Sequence, residues 1–348
     1  MIASDKITYL DNNATTAIDP AVLEAMRPFL DKYFANPSSG YRFAAQVRDA
    51  IEQARERVAA LLGCEPGEIV FTSCGTESNN TAFHSALEAR RECKHVVTTA
   101  VEHSAVRKPA QELERQGYEV TVIGVDKSGR LSLRAVADAI RPDTALVSVM
   151  WANNETGVIF PIEEIAQIAR DKNVPLHTDA VQAAGKIPIK LREVQLQFLS
   201  ISGHKLHAPK GVGALLSKLP EEQSRVRNLR DRFEKALVEK IPNARVNGAG
   251  APRLANTSSM MFDDIESDAA LMMLDQENIC CSAGSACRTG SLQPSHVLSA
   301  MGLVNEQARG SLRFSFGRFN DDKDIDRAID VVPRVIGKLR ALSPVSAR

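Results

Sequence analysis

Apolar residues recur at helical spacing over 43–62, FAAQVRDAIEQARERVAALL, where Phe43, Val47, Ile51, Ala54, Val58, Leu61 and Leu62 share one stripe. The stripe predicts an amphipathic helix that ends at Gly63. Elsewhere the apolar positions come in short runs: EIVFTS (68–73), HVVTT (95–99), EVTVIGV (119–125), TALVSVM (144–150), VPLHT (174–178), QFLSI (197–201) and VGALL (212–216). Each has the length of a buried strand, and helical patterns near 105–116, 132–140 and 162–172 separate several of them. Strands alternating with helices predict an α/β fold whose mostly parallel sheet is covered by helices on both faces. After Leu219 the pattern changes. A helix at 221–240, the run SSMMF, the helix SDAALMML, a cysteine-bearing loop, the run GSLRFSF and a last helix at 321–342 predict a smaller α+β domain. The expected division is a large domain over 14–218 and a small one over 219–348 together with 1–13.

Lysine plus arginine and aspartate plus glutamate both count 43 in the 348 residues, so the net charge is zero. No basic excess points to nucleic acid, and no polybasic or long apolar stretch points to a membrane. The first residues, MIASDKITYLDNNATT, lack the charged and apolar regions of a secretory signal. Six irregularly spaced cysteines do not read as a disulfide framework. A cytoplasmic protein is expected.

Polar clusters fall at the predicted strand ends: Gly75-Thr76-Glu77-Ser78, Glu102-His103, Asn153-Asn154-Glu155, Asp179 with Gln182, and Ser202 with His204 and Lys205. Singly, each reads as a cap or a loop residue. Together, at five successive strand ends, they read as a site. A lysine beside a buried strand is costly unless something uses it. Pyridoxal 5'-phosphate requires a Schiff-base lysine, a carboxylate at the pyridine nitrogen and a cup for its phosphate. Lys205 suits the first role and Asp179 the second. Gly75, Thr76, Ser202 and His204 suit the cup, where a helix N-terminus offers free N–H groups. His103 can stack on the ring, and Gln182 can bond its phenolic oxygen. Among rival lysines, Lys210 leads into the next strand and Lys186 reads as a surface residue.

The loop CCSAGSACRTGSLQPSHV (280–297) sets Cys287 among small residues, which points to an exposed thiol nucleophile. Cys280 and Cys281 end an apolar run and read as core thiols. Cys281, Cys287 and His296 lack zinc-ligand spacing, so no metal is expected. In GSLRFSFGRF, Arg313 on the strand is preferred over Arg318 for gripping a substrate carboxylate.

The segments YLDNNATT, NPSS, FTSCGTESNN, VEHSAV, MWANNETG, HTDAVQAAGK, SGHKLHAPKGVG, GSACRTGSLQPSHVL and RFSFGRF resemble the cysteine desulfurases of the NifS/IscS group, closest to the NifS branch. The resemblance covers nearly the whole chain in order. It implies the fold-type I architecture of pyridoxal-phosphate-dependent transferases and a homodimer. It also implies conversion of L-cysteine to L-alanine, with sulfur left as a persulfide on Cys287 and passed to an iron–sulfur scaffold or another acceptor protein. Under it, Lys205 becomes the Schiff-base lysine and the base for the α-proton, with His103 assisting. Thr76, His103, Asn154, Asp179, Gln182, Ser202 and His204 become cofactor contacts. Arg313, Asn13 and Asn154 become substrate contacts. A related selenocysteine lyase or other lyase is the alternative. One stretch departs from the family. Its members follow the GVGAL strand with several dozen residues that include a glycine- and arginine-rich turn and a threonine for the partner subunit's phosphate. Here GVGALLSK runs directly into LPEEQSRVRNLRDRFEKAL. The departure predicts weaker cofactor binding, or, at the extreme, a cofactor-poor scaffold.

Overall fold

The computed structural model describes residues 7–194, 196–212, 219–283, 295–317 and 319–342. After the short strand β1 (Thr8–Tyr9) come helices α1 (Pro20–Asp31), α2 (Arg42–Leu62) and α3 (Gly75–Ala89). Then strands and helices alternate: β2 (His95–Thr99), α4 (Ser104–Arg115), β3 (Glu119–Ile123), α5 (Leu133–Ala139), β4 (Thr144–Ser148), α6 (Ile162–Asp171), β5 (Leu176–Asp179), α7 (Leu191–Val194) and β6 (Phe198–Ser200). The rest of the described chain comprises α8 (Leu219–Lys240), β7 (Arg245–Val246), β8 (Thr257–Met261), α9 (Ser267–Gln276), β9 (Ile279–Cys280), α10 (His296–Ala300), α11 (Asn305–Arg309), β10 (Ser311–Ser315) and α12 (Asp322–Leu342).

Five strands form one sheet in the order β3-β2-β4-β5-β6, and every pairing in it is parallel. β2, β4 and β5 are buried along their whole length, which is why apolar and β-branched residues fill successive positions of β2 and β4. Buried polar side chains cross-link the strands. His177 shares protons with Ser148 Oγ at 2.8 Å and Ser200 Oγ at 3.0 Å, and His95 bonds Thr144 Oγ1 and Thr121 Oγ1, both at 2.8 Å. A three-stranded antiparallel sheet, β10-β8-β7, and the parallel pair β1–β9 make up the remaining sheets. The core divides accordingly. One cluster packs helices and loops against the five-stranded sheet. A second joins Phe233, Phe262, Phe314, Phe316 and Leu10 to the inner faces of α9 and α12.

The predicted strand at 68–73 does not form. Pro66–Glu68 make a single 3-10 turn, the following residues are irregular, and Val70 is 77% exposed. An apolar run becomes a strand only where a neighbour completes its hydrogen bonds. Here the Ile69 carbonyl accepts from Arg55 Nη1 at 2.5 Å instead. The strand expected at 212–216 lies, beyond Val212, outside the described residues. α1 forms over 20–31, where the sequence analysis assigns no helix, and none of its residues is buried. The stripe predicted for α2 is buried at Val58 and Leu62 but open at Phe43.

Candidate active site

β2, β4, β5 and β6 end on the same side of the sheet, and the order of strand addition reverses between β2 and β4. Ligands collect in the crevice at such a point. A cavity of about 210 Å3 lies there, and every site candidate from the sequence lines it except Cys287, which falls outside the described residues, as does Arg318.

Asp179 is the last residue of β5. Its Oδ2 accepts from Asn79 Nδ2 at 2.8 Å and its Oδ1 from the Val181 N–H at 3.0 Å, so the carboxylate is fixed as an acceptor toward the cavity. His103 follows β2 as the N-cap of α4, with Nδ1 accepting from the Ala105 N–H at 3.1 Å. The neutral ring therefore carries its proton on Nε2. Burial lowers the His103 pKa; Asp179 opposes this, and Lys205 and Arg313 reinforce it.

Lys205 ends the single helical turn Gly203–Lys205 that follows β6. The turn is tight: a Cβ on Gly203 would lie 2.2 Å from the Val212 carbonyl oxygen. Lys205 Nζ donates to the carbonyls of Asn13 and Ala14, both at 2.6 Å. His204 shares a proton with Thr15 Oγ1 at 3.1 Å, and burial, assisted by Lys205 and Lys210, lowers its pKa to about 4. It is a neutral hydrogen-bonding group at pH 7.

α3 opens at Gly75 with no side-chain cap, which leaves first-turn N–H groups for an anion. A Cβ on Gly75 would meet Val181 Cγ2 at 2.8 Å, so only glycine lets the helix start this close to the loop after β5.

Arg313, on β10, is 2% exposed. Its Nη2 pairs with Asp11 Oδ1 at 2.7 Å, its Nη1 donates to the Asn154 carbonyl at 3.1 Å, and its Nε is buried without a partner. The predicted carboxylate grip is thus an arginine already oriented by an acid. Asn13 donates through Nδ2 to the Asn154 carbonyl at 3.2 Å and to Thr257 Oγ1 at 2.9 Å, so it ties β8 to the site.

Two expectations are corrected. Lys186 is not a surface residue: its ammonium is desolvated and bonds Gln182 Oε1 at 2.5 Å and Asn13 Oδ1 at 3.2 Å. It is carried there by the turns over 181–186 that follow β5. Cys281 packs against the second core as expected, Cys280 is only half-buried, and burial raises both thiols above the usual range. Asn79, Cys74, Asp11 and Glu102 were not assigned roles. Asn79 stands one helical turn beyond Gly75, a spacing that could have flagged it. Cys74 lines the cavity, and its pKa is lowered, first by the Glu77 backbone N–H. Glu102 lies fully buried beneath His103. Its Oε1 accepts from Thr99 Oγ1 and the Met150 N–H, its Oε2 has no partner, and burial raises its pKa to about 8. Among the described residues no His/Cys/Asp/Glu cluster could hold a metal, and no helix is long and apolar enough to cross a membrane.

This donor set fits pyridoxal phosphate: a primary amine, a carboxylate held by two N–H donors, an imidazole and an uncapped helix start all face one cavity. The aminotransferase class-V family model matches residues 8–225 and 219–328, two pieces that meet where the family's segment was missing from the sequence. The cysteine desulfurase 2 of Trichormus variabilis is 45% identical over 380 aligned positions, covering 98% of this chain and 96% of that protein. The cysteine desulfurase NifS of Azotobacter vinelandii is 44% identical over 378, covering 97% and 94%. Both alignments exceed the 348 residues present here, so these relatives carry residues with no counterpart in this chain. A solved NifS-like protein superposes with a TM-score of 0.86 at 30% identity, covering 96% of this chain and 100% of that one.

Proposed function

We propose a reaction for a chain that belongs to the aminotransferase class-V family: it is a pyridoxal-phosphate-dependent cysteine desulfurase that converts L-cysteine to L-alanine. The observation that carries the reading is the convergence of Lys205, Asp179, His103 and Arg313, from four separate elements, on one cavity at the strand ends. When bound, the cofactor supplies an electron sink for the substrate's α-carbon. Lys205 would hold the cofactor and is the amine placed to move the α-proton. Asp179 would bond the pyridine nitrogen, and His103 would cover the ring. The α3 N-terminus at Gly75 and Thr76, with Ser202 and His204, would receive the phosphate, while Gln182 and Asn154 would bond the ring. Arg313 and Asn13 orient the substrate carboxylate. The Cys287 thiolate attacks the substrate sulfur. The C–S bond breaks, an S–S bond forms, and the carbon takes up a proton as alanine, leaving a persulfide. That sulfur passes to an iron–sulfur scaffold or another acceptor protein in the cytoplasm.

The same proposal includes a homodimer. It is supported by α1, with no buried residue, and by Leu30 and Phe34, exposed at 73% and 76%. It also includes the division at 218/219. Leu10 packing into the second core supports this, although Val297, Leu298 and Met301 pack into the first.

Alanine and sulfide release from L-cysteine, with the visible absorbance of the purified protein, tests the reading. A coloured protein that makes alanine, and whose Cys287→Ala variant stops releasing sulfide, supports it. Sulfide release that survives in that variant favours a lyase. The shortened segment after Lys218 supports a second reading, a scaffold that binds no cofactor. A colourless protein unable to take up added pyridoxal phosphate would establish that one.

A further inference from the structure

Among the described residues, Lys186 is a desolvated cation beside the cavity that the reaction above leaves without a task. It stands behind the cavity wall, on the turn after β5, and reaches two of the amide side chains that line the cavity. Its Nζ lies 2.5 Å from Gln182 Oε1 and 3.2 Å from Asn13 Oδ1. An amine on lysine donates to both and, as an ammonium, can accept from neither. Gln182 Nε2 in turn donates to the Asn13 carbonyl at 3.0 Å. The two contacts impose the same choice on the Gln182 amide: oxygen toward Lys186, nitrogen toward the cavity side. The nitrogen has a second hydrogen beyond the one on Asn13, and Gln182 lines the cavity. On the other side, Asn13 Oδ1 also accepts from Asn256 Nδ2 at 3.1 Å, which leaves the Asn13 Nδ2 to bond Thr257 and the Asn154 carbonyl.

We propose that Lys186 is a positioning residue: it locks the Gln182 amide so that an N–H, not the carbonyl, faces the cavity where the cofactor's phenolic oxygen is received. This rests on the assignment of Gln182 and Lys205 to pyridoxal phosphate made above. Burial, reinforced by the cations Lys205 and Arg313, lowers the Lys186 pKa to about 7. Both forms of the amine donate to Gln182 Oε1, and the ammonium form, which cannot accept, holds the amide most firmly.

The test compares wild type, Lys186→Met and Lys186→Arg, each shown to be folded by circular dichroism and urea unfolding. Apoprotein is titrated with pyridoxal phosphate, and the visible band and the bound fraction are recorded. In Lys186→Met, Gln182 Oε1 loses its donor and the amide can turn its oxygen to the phenolate. Cofactor dissociation should rise about tenfold, and the band should shift in wavelength. Lys186→Arg keeps the donors and should stay within about threefold of wild type with the band unmoved. A folded Lys186→Met that matches wild type in both readouts overturns the proposal. So does a Lys186→Arg as impaired as Lys186→Met, which would make the side chain's packing the cause. A wild type that takes up no cofactor refutes the assignment beneath it and is told apart by that control.

Discussion

The ε-amine of Lys205 lies 2.6 Å from the backbone carbonyl oxygen of Asn13, although 192 residues separate the two in the chain. The Gln182 amide donates to that same oxygen. The N-terminal segment thus supplies part of the wall against which the reactive amine rests, and the amine has a defined place before any ligand arrives. Lys205→Ala removes both the attachment point and the proton carrier. Alanine formation should fall by at least about 10³-fold, and the visible band of the bound cofactor should disappear. Absorbance and a steady-state alanine assay check this. A variant that retains the band would locate the attachment on another lysine.

Arg313 pairs with Asp11 while lining the cavity. Arg313→Lys keeps a charge for Asp11 but loses the planar fork that grips a carboxylate. The KM for L-cysteine should rise about tenfold or more, with a smaller change in kcat and little change in urea stability. An unchanged KM would remove Arg313 from the substrate's carboxylate.

Burial raises the Glu102 carboxyl in the folded protein to about 8, from an ordinary value of 4.5. Between those values the unfolded chain has lost the proton while the folded protein keeps it. Folding stability contributed by this group is full below about pH 4.5 and is lost as pH rises toward 8. The slope is roughly 1 kcal/mol per pH unit. Glu102→Gln lacks the titration, so its urea-unfolding free energy should gain on wild type as pH rises through this window. Parallel curves would show that Glu102 ionises normally.

Cys74 sits at the start of α3 with a lowered pKa, whereas Cys64, Cys280 and Cys281 are raised. In a Cys287→Ala background, iodoacetamide should label Cys74 before those three, by peptide mass mapping. Bound pyridoxal phosphate should slow the labelling, since its phosphate would occupy the same helix start. Equal rates with and without cofactor would move the phosphate elsewhere.

Leu30 and Phe34 stand exposed on and just after α1. If a second copy covers them, light scattering should give about twice 37.9 kDa for wild type, and Leu30→Glu/Phe34→Glu should shift the mass toward the monomer. A monomeric wild type would leave α1 to another partner.

The alternation of short apolar runs with helical stripes was legible because β2, β4 and β5 are buried on both faces, and burial writes itself into residue type position by position. The site's main groups were legible for a related reason. Asp179, His103 and Lys205 each lie at or just past the end of such a run, where a polar residue stands out. What the chain could not reveal was who meets whom. The run at 68–73 looks like its neighbours yet lacks a strand partner. Lys186 follows small residues as a surface lysine would, yet its turn carries it under Gln182 and Asn13. The Asp11–Arg313 pair joins residues 302 apart. Local patterning depends on each residue's own solvation and is written along the sequence. Hydrogen-bond partners across the sheet ends are set by how the layers pack, and only the folded arrangement decides them.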